Sequence, residues 1–166
     1  LDLIKYVFED IIRLGCKFAI LGSGEKIYED FFSEMHYRYP DRVGLTIGFV
    51  PELSKKIYAG ADMFLMPSQS EPCGLAQMIA LRYGTIPIVR ETGGLRDSIH
   101  DAGDKNGNGF TFKSYNAHDM LDAVVRARAY YDDKMKWGRL VNTALKQNFS
   151  WTKSAKDYIA LYNDIH

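Results

Sequence analysis

Cysteine, histidine and net charge are all scarce in this sequence, and each scarcity closes off a class of function. Its 166 residues include two cysteines, Cys16 and Cys73, too few for a disulfide framework and without the spacing of a metal-binding pair. Its four histidines form no cluster, and no set of carboxylates has metal-ligand spacing, so no metal and no cofactor are expected. Charge is balanced, with 21 lysines and arginines against 21 aspartates and glutamates. That removes the electrostatic case for nucleic acid or an anionic membrane as partner. No apolar run approaches the roughly 20 residues that span a bilayer, and no leader-like or low-complexity tract is recognisable. A reducing cytoplasm is the expected home.

What is present is an ordinary globular composition, 46% hydrophobic and 25% charged, enough for one core. The chain is organised around Met63 to Leu95, MFLMPSQSEPCGLAQMIALRYGTIPIVRETGGL. Met63 to Met66 is a short all-apolar run that reads as a strand covered on both faces, stopped by Pro67. Leu75, Met78, Ile79 and Leu81 recur at helical spacing until Gly84, a C-terminal glycine. Thr85 to Val89 reads as the next strand. Strand, loop, helix and strand make a βαβ unit, and such units bind ligands beyond the carboxyl ends of their strands.

Gly74 opens the helix of that unit. A glycine there lets an anion approach the backbone, with the N–H groups of Gly74, Leu75 and Ala76 and the positive end of the helix dipole pointing at it. This is a phosphate seat without a lysine. Glu71, three residues earlier, would repel phosphate, so its carboxylate suits a hydroxyl-rich or transiently cationic part of the ligand. Alone it reads equally well as a surface acid; at a strand-to-helix turn the functional reading wins. Cys73 reads as a small packing residue of the loop, not a nucleophile. Gly93 and Gly94 form a second glycine loop after the next strand, and are read as bringing amides towards the same anion, with an ordinary turn as the alternative. Arg82, Arg90 and Arg96 are as readily solvated as phosphate-bound.

In chain order, Leu3 to Ile12 form an amphipathic helix before Gly15, and Lys17 to Leu21 a strand leading into Gly22-Ser23-Gly24. With Ile27 at the third glycine position, this is half of a dinucleotide fingerprint, explained as well by a tight turn. A second helix carries Phe31, Phe32 and Met35. Val43, Leu45, Ile47 and Phe49 alternate as a strand, and Phe49 by burial tendency alone belongs to the core. A short helix runs to Gly60. Asp101 to Gly109 is a solvated loop rather than an EF-hand. Phe110 to Phe112 is the last strand, Asn116 caps a helix, another helix follows, and Ser150 is a candidate cap for a terminal one.

Ser70-Glu71-Pro72-Cys73-Gly74-Leu75, Arg82 to Arg90 and Thr92-Gly93-Gly94-Leu95-Arg96-Asp97 resemble the donor-site block of bacterial glycogen synthases and plant starch synthases. Leu21 to Gly24, Gly60-Ala61-Asp62, Asn108-Gly109-Phe110 and Phe149-Ser150-Trp151 agree in order, so the resemblance covers nearly the whole chain. It implies an α/β fold: a Rossmann-like parallel sheet with helices on both faces, one half of a two-domain glycosyltransferase B-type architecture. Residues 1–166 would be the C-terminal nucleotide-sugar-binding domain, with 150–166 crossing to an N-terminal domain upstream of Leu1. That missing part would carry the acceptor contacts, and the first strand of the donor domain with its phosphate-binding Arg and Lys. The implied reaction moves glucose from ADP-glucose to the non-reducing end of an α-1,4-glucan with retention of configuration, which this chain alone would not perform. Glu71 would be catalytic, holding the glucose hydroxyls. Phe49 would lie on the adenine ring, which reverses the core preference, and Cys73, Gly74, Leu75, Ala76, Gly93 and Gly94 would bind the donor. Related retaining transferases carry a second glutamate eight positions on, where this chain has Ile79, so no ribose-binding carboxylate carries over.

Other classes stay open: the donor domain of another retaining glycosyltransferase, a nucleotide-binding module without chemistry, or an oxidoreductase-type dinucleotide domain, which the incomplete glycine pattern opposes. A glucan phosphorylase would need a pyridoxal-phosphate lysine, and no lysine here lies in such a motif.

Overall fold

Leu3, Ile4, Val7, Phe8 and Ile11 lie along one side of α1 (Asp2–Arg13) and are buried, as a 3.6-residue period requires. Phe8 stacks on Phe18 with ring centroids 4.3 Å apart and meets Phe31 edge-on at 5.5 Å. Phe18 begins β1 (Phe18–Gly22) and Phe31 belongs to α2 (Lys26–Arg38), so this cluster sets the first core. The computed structural model describes residues 1–165. Within it follow β2 (Val43–Ile47), α3 (Pro51–Gly60), β3 (Met63–Met66), α4 (Ala76–Tyr83), β4 (Ile86–Arg90), α5 (Gly93–Ser98), β5 (Phe110–Phe112), α6 (Ala117–Asp132), α7 (Lys134–Leu145) and α8 (Trp151–Ile165).

Every strand pairing is parallel. β1 runs beside β2 with Phe18 opposite Val43, β3 beside β4 with Met63 opposite Ile86, and β4 beside β5 with Ile88 opposite Phe110. β4 is the central strand of its sheet, and Ile86, Ile88 and Val89 are buried, as residues of a strand covered on both faces must be. The α/β class and the order of elements follow the sequence reading. Continuity does not: the strands form two sheets, β1–β2 and β3–β4–β5, with no ladder joining β1 to β3 among the described residues. A cavity of 910 Å³ lies between them, bordered by Phe18 and Ile20 on one side, Phe64 and Leu65 on the other, together with Leu1 and, from α1, Ile4. Each sheet has its own crossover helix to fix its register. Nothing in residues 1–165 supplies a strand between them, and α1 bridges instead by packing on α6.

Helix ends obey local chemistry. The Asn116 side chain accepts the His118 N–H at 2.8 Å and the Asp119 N–H at 3.3 Å, capping α6, and Asp133 does the same for α7. Gly84 closes α4 at φ +79°, where any side chain would be strained. α8 buries none of its residues; Trp151 is 85% exposed, and Tyr158, Ile159 and Tyr162 are also open.

The loop after α5 exposes residues 103–106, as a solvated turn does, but is braced at both ends. Asn108 is fully buried, accepting the His100 N–H at 2.8 Å and donating to Ser98 O at 2.9 Å. Asp101 Oδ2 accepts the Thr111 N–H at 2.9 Å and the Arg126 guanidinium at 2.8 Å, tying β5 to α6. Burial works to raise the Asp101 pKa, but those bonds and the Gly103 N–H outweigh it and hold the carboxyl below its ordinary value. A pKa depressed by folding adds stability that is complete above the unfolded value and is lost as pH falls through the folded one. Wild type is therefore expected to lose more stability than Asp101→Asn as pH drops below about 4, and to be the more stable of the two at pH 7. Chemical denaturation at both pH values checks this, and equal acid sensitivity would remove Asp101 from the account.

Candidate functional site

Two loops follow strands of the β3–β4–β5 sheet, residues 67–75 after β3 and residues 91–92 before α5, and glycine lets them touch. The Gly94 N–H donates to Glu71 O at 3.1 Å and to Pro72 O at 3.3 Å. A Cβ on Gly93 would stand 2.0 Å from Glu71 O, and one on Gly94 2.1 Å from Cys73 O. Both glycines are thus needed for backbone contact. The sequence reading gives both amides to a phosphate; the Gly94 amide is taken up within the chain, so Gly94 shapes the site instead. Gly93 N–H has no acceptor among the described residues.

Arg90 completes the brace. Its guanidinium donates to Ser68 O at 3.0 Å, to Gln69 O and to Lys113 O at 3.4 Å, holding the start of the Glu71 loop to the end of β5. It is a structural cation, whereas Arg82 and Arg96 are exposed and make no ion pair among the described residues.

Glu71 is half-buried, and its carboxylate has neither a hydrogen bond nor a cation among the described residues. The loop is held through the Glu71 carbonyl, which leaves the side chain free to meet a ligand. Cys73 is exposed, its Sγ 3.7 Å from Gly74 O; its backbone packs on Gly94 while the thiol faces outward, unlike the packing role read from sequence. Gly74 sits at φ +75°. Leu75 is the residue before the first helical one, Ala76. The N–H groups of Gly74, Leu75 and Ala76 donate to nothing in the chain among the described residues, as expected of a helix start open to an anion.

The helix behind them buries a face that apolar spacing misplaced. Leu75 is 68% exposed and Ile79 is also open, while Gln77, Ala80 and Leu81 are buried. Gln77 is a site residue the sequence reading missed; its spacing from Ala80 and Leu81 was the available signal.

Phe49 stands apart, in the loop two residues beyond β2 of the other sheet, and without hydrogen bonds to these residues. It is 92% exposed, which overturns the core reading based on burial tendency and leaves a ring free to stack. Gly48 precedes it at φ +132°, and the Gly48 N–H donates to Gly22 O at 3.0 Å, joining the end of β1 to the loop after β2. The Gly24 N–H is accepted by the Glu29 carboxylate at 2.9 Å. A carboxylate there holds the place where a dinucleotide fingerprint would seat a pyrophosphate, so this loop is not an anion site.

Residues 1–139 match the family described as glycosyl transferases group 1. The glycogen synthase of Anoxybacillus flavithermus is 53% identical over 99% of this chain, which covers 34% of that protein. The glycogen synthase of Desulforudis audaxviator is 50% identical, with 33% of its length covered. Among solved structures, the catalytic domain of starch synthase IV from Arabidopsis thaliana, bound to ADP and acarbose, superposes with a TM-score of 0.85 at 39% identity, over 98% of this chain and 35% of that one. The chain spans about a third of the length of these relatives. No helix among the described residues is long and apolar enough to cross a membrane.

Proposed function

The chain belongs to the group 1 glycosyl transferases, and we propose that it is the donor-binding half of a glycogen- or starch-synthase-type hexosyltransferase. The full protein would transfer glucose from ADP-glucose to the non-reducing end of an α-1,4-glucan with retention, the acceptor being held by a second domain. The carrying observation is the loop at the end of β3, where an unpaired carboxylate, Glu71, stands beside three open amides, those of Gly74, Leu75 and Ala76.

The chemistry follows from that juxtaposition. As the bond from glucose C1 to the diphosphate breaks, negative charge grows on the phosphate oxygens, and preorganised amides stabilise it. Positive charge grows on the sugar, and Glu71 faces it while accepting hydrogen bonds from the glucose hydroxyls. The amides oppose the first charge and the carboxylate the second, which is why a phosphate site tolerates an acid. Phe49 would stack on the adenine ring, and Gly93 N–H would add a donor. α8, with Trp151, Tyr158 and Tyr162 open, would reach the acceptor domain. Two free thiols fit a reducing cytoplasm.

Calorimetric titration of the chain with ADP, ADP-glucose, UDP-glucose and NAD tests the assignment. ADP-glucose is expected to bind in preference to UDP-glucose and NAD; preference for NAD would overturn it. In the same experiment Phe49→Ala should weaken ADP binding roughly 5- to 150-fold, the range for one base–aromatic stack. Its melting temperature should not move, because the ring supports no core. Equal ADP affinity would remove Phe49 from the site.

A further inference from the structure

α4 carries one polar side chain into the interior, and that side chain governs the loop before it. Gln77 exposes none of its surface. Its Nε2 donates to Cys73 O at 3.1 Å and Gly74 O at 2.9 Å and lies 3.2 Å from Ser98 Oγ. Ser98 Oγ itself donates to Gly94 O at 2.6 Å, so towards Gln77 it is an acceptor. Three acceptors around one nitrogen fix which way the carboxamide faces. They leave Oε1 buried with no partner among the described residues, an arrangement that asks for a purpose to explain it.

The purpose lies in the geometry of the peptide bond. In a trans peptide unit the C=O and the N–H of one plane point in opposite directions, and the described chain has no cis peptide. Drawing the Cys73 carbonyl inward therefore turns the Gly74 N–H outward, and drawing in the Gly74 carbonyl turns the Leu75 N–H outward. Both belong to the site's amides that have no acceptor among the described residues. Gly74 makes the approach possible, since a Cβ there would stand 2.5 Å from Gln77 Oε1.

We propose that Gln77 is the positioning residue of the anion seat, aiming the Gly74 and Leu75 amides at the donor's diphosphate through the carbonyls behind them. This rests on the donor-binding reading above. Through Ser98 and Gly94 the same carboxamide couples the seat to the loop that holds Glu71, so the two charge-stabilising groups share one brace.

A comparison of ADP with adenosine tests this, since only ADP presents the diphosphate. Binding of each to the wild-type chain, Gln77→Met and Ser98→Ala is measured by calorimetry, with amide resonances followed by NMR and folding checked by melting. Wild type should favour ADP over adenosine, with the Gly74 and Leu75 amides shifting on ADP. Folded Gln77→Met should bind adenosine as wild type does, lose at least about tenfold in ADP affinity, and no longer shift those amides. Ser98→Ala, which removes one partner of Nε2 and keeps the two carbonyls, should lose a few-fold for ADP alone. Unchanged ADP affinity in folded Gln77→Met overturns the proposal; if that variant does not fold, unchanged affinity in Ser98→Ala overturns it. A wild-type chain that binds neither ligand overturns the donor-binding reading itself.

Discussion

Replacing Glu71 by alanine in the full-length protein is expected to lower turnover by roughly 10²–10³-fold, the loss seen when one preorganised stabilising group is removed. The fold should survive. The contacts that fix this loop run through the Glu71 carbonyl, which accepts the Gly94 N–H, and through Arg90 on Ser68 and Gln69. None uses the carboxylate. Glu71→Gln divides the two duties assigned to the side chain, since an amide still meets sugar hydroxyls but carries no charge. Turnover close to wild type in Glu71→Gln would assign the effect to hydroxyl binding, and turnover as low as in Glu71→Ala would assign it to charge. Steady-state kinetics alongside thermal melting makes the measurement, and near-normal turnover in Glu71→Ala would remove the residue from the mechanism.

Gly94→Ala is expected to destabilise the site through contact alone, without the positive φ that Gly93 adds. The added carbon would stand 2.1 Å from Cys73 O and 2.6 Å from Cys73 Cα. Both are backbone atoms, which cannot swing aside as a side chain would. Either the Glu71 loop moves off α5 and the Gly94 N–H loses its acceptors, or the sheet shifts beneath it. Overpacking of this kind costs about 1–3 kcal/mol, and at this chain length each kcal/mol lowers the melting temperature by about 2–4 °C. Gly138, inside α7, is the matched control, because a Cβ there meets nothing within 4 Å. Gly138→Ala should stabilise by roughly 0.5–1 kcal/mol through helix propensity. Opposite signs for the same methyl would attribute the Gly94 effect to contact; a Gly94→Ala melt equal to wild type would refute it.

Much of this was legible in the residues because it is local. Apolar period, proline and glycine placed the strands and most of the helices within a few positions, and Glu71-Pro72-Cys73-Gly74 announced itself as a strand-to-helix turn. What stayed hidden depends on partners distant in sequence. Leu75 and Ile79 look like the buried face of α4 by hydropathy, but the space under the helix is filled by Gln77, whose partner Ser98 lies on another element. Asp101 reads as one polar residue among many in its loop until Thr111 and Arg126 are folded against it. Gly94 reads as a phosphate-loop glycine, and only the Glu71 loop arriving from the other side shows where its N–H goes. Phe49 erred the other way: an alternating pattern put it in a strand, but Gly48 turns the backbone before it.

The gap between β1 and β3 also decides how the molecule comes apart. No main-chain hydrogen bond crosses it among the described residues, so melting one sheet breaks no ladder of the other. The halves are tied by side chains alone, with α1 packed on α6 and α3 on α4. Coupling between them therefore rests on packing: Phe8 and Val43 of one half share a single buried cluster with Ile86 and Leu95 of the other, so unfolding either half opens that cluster.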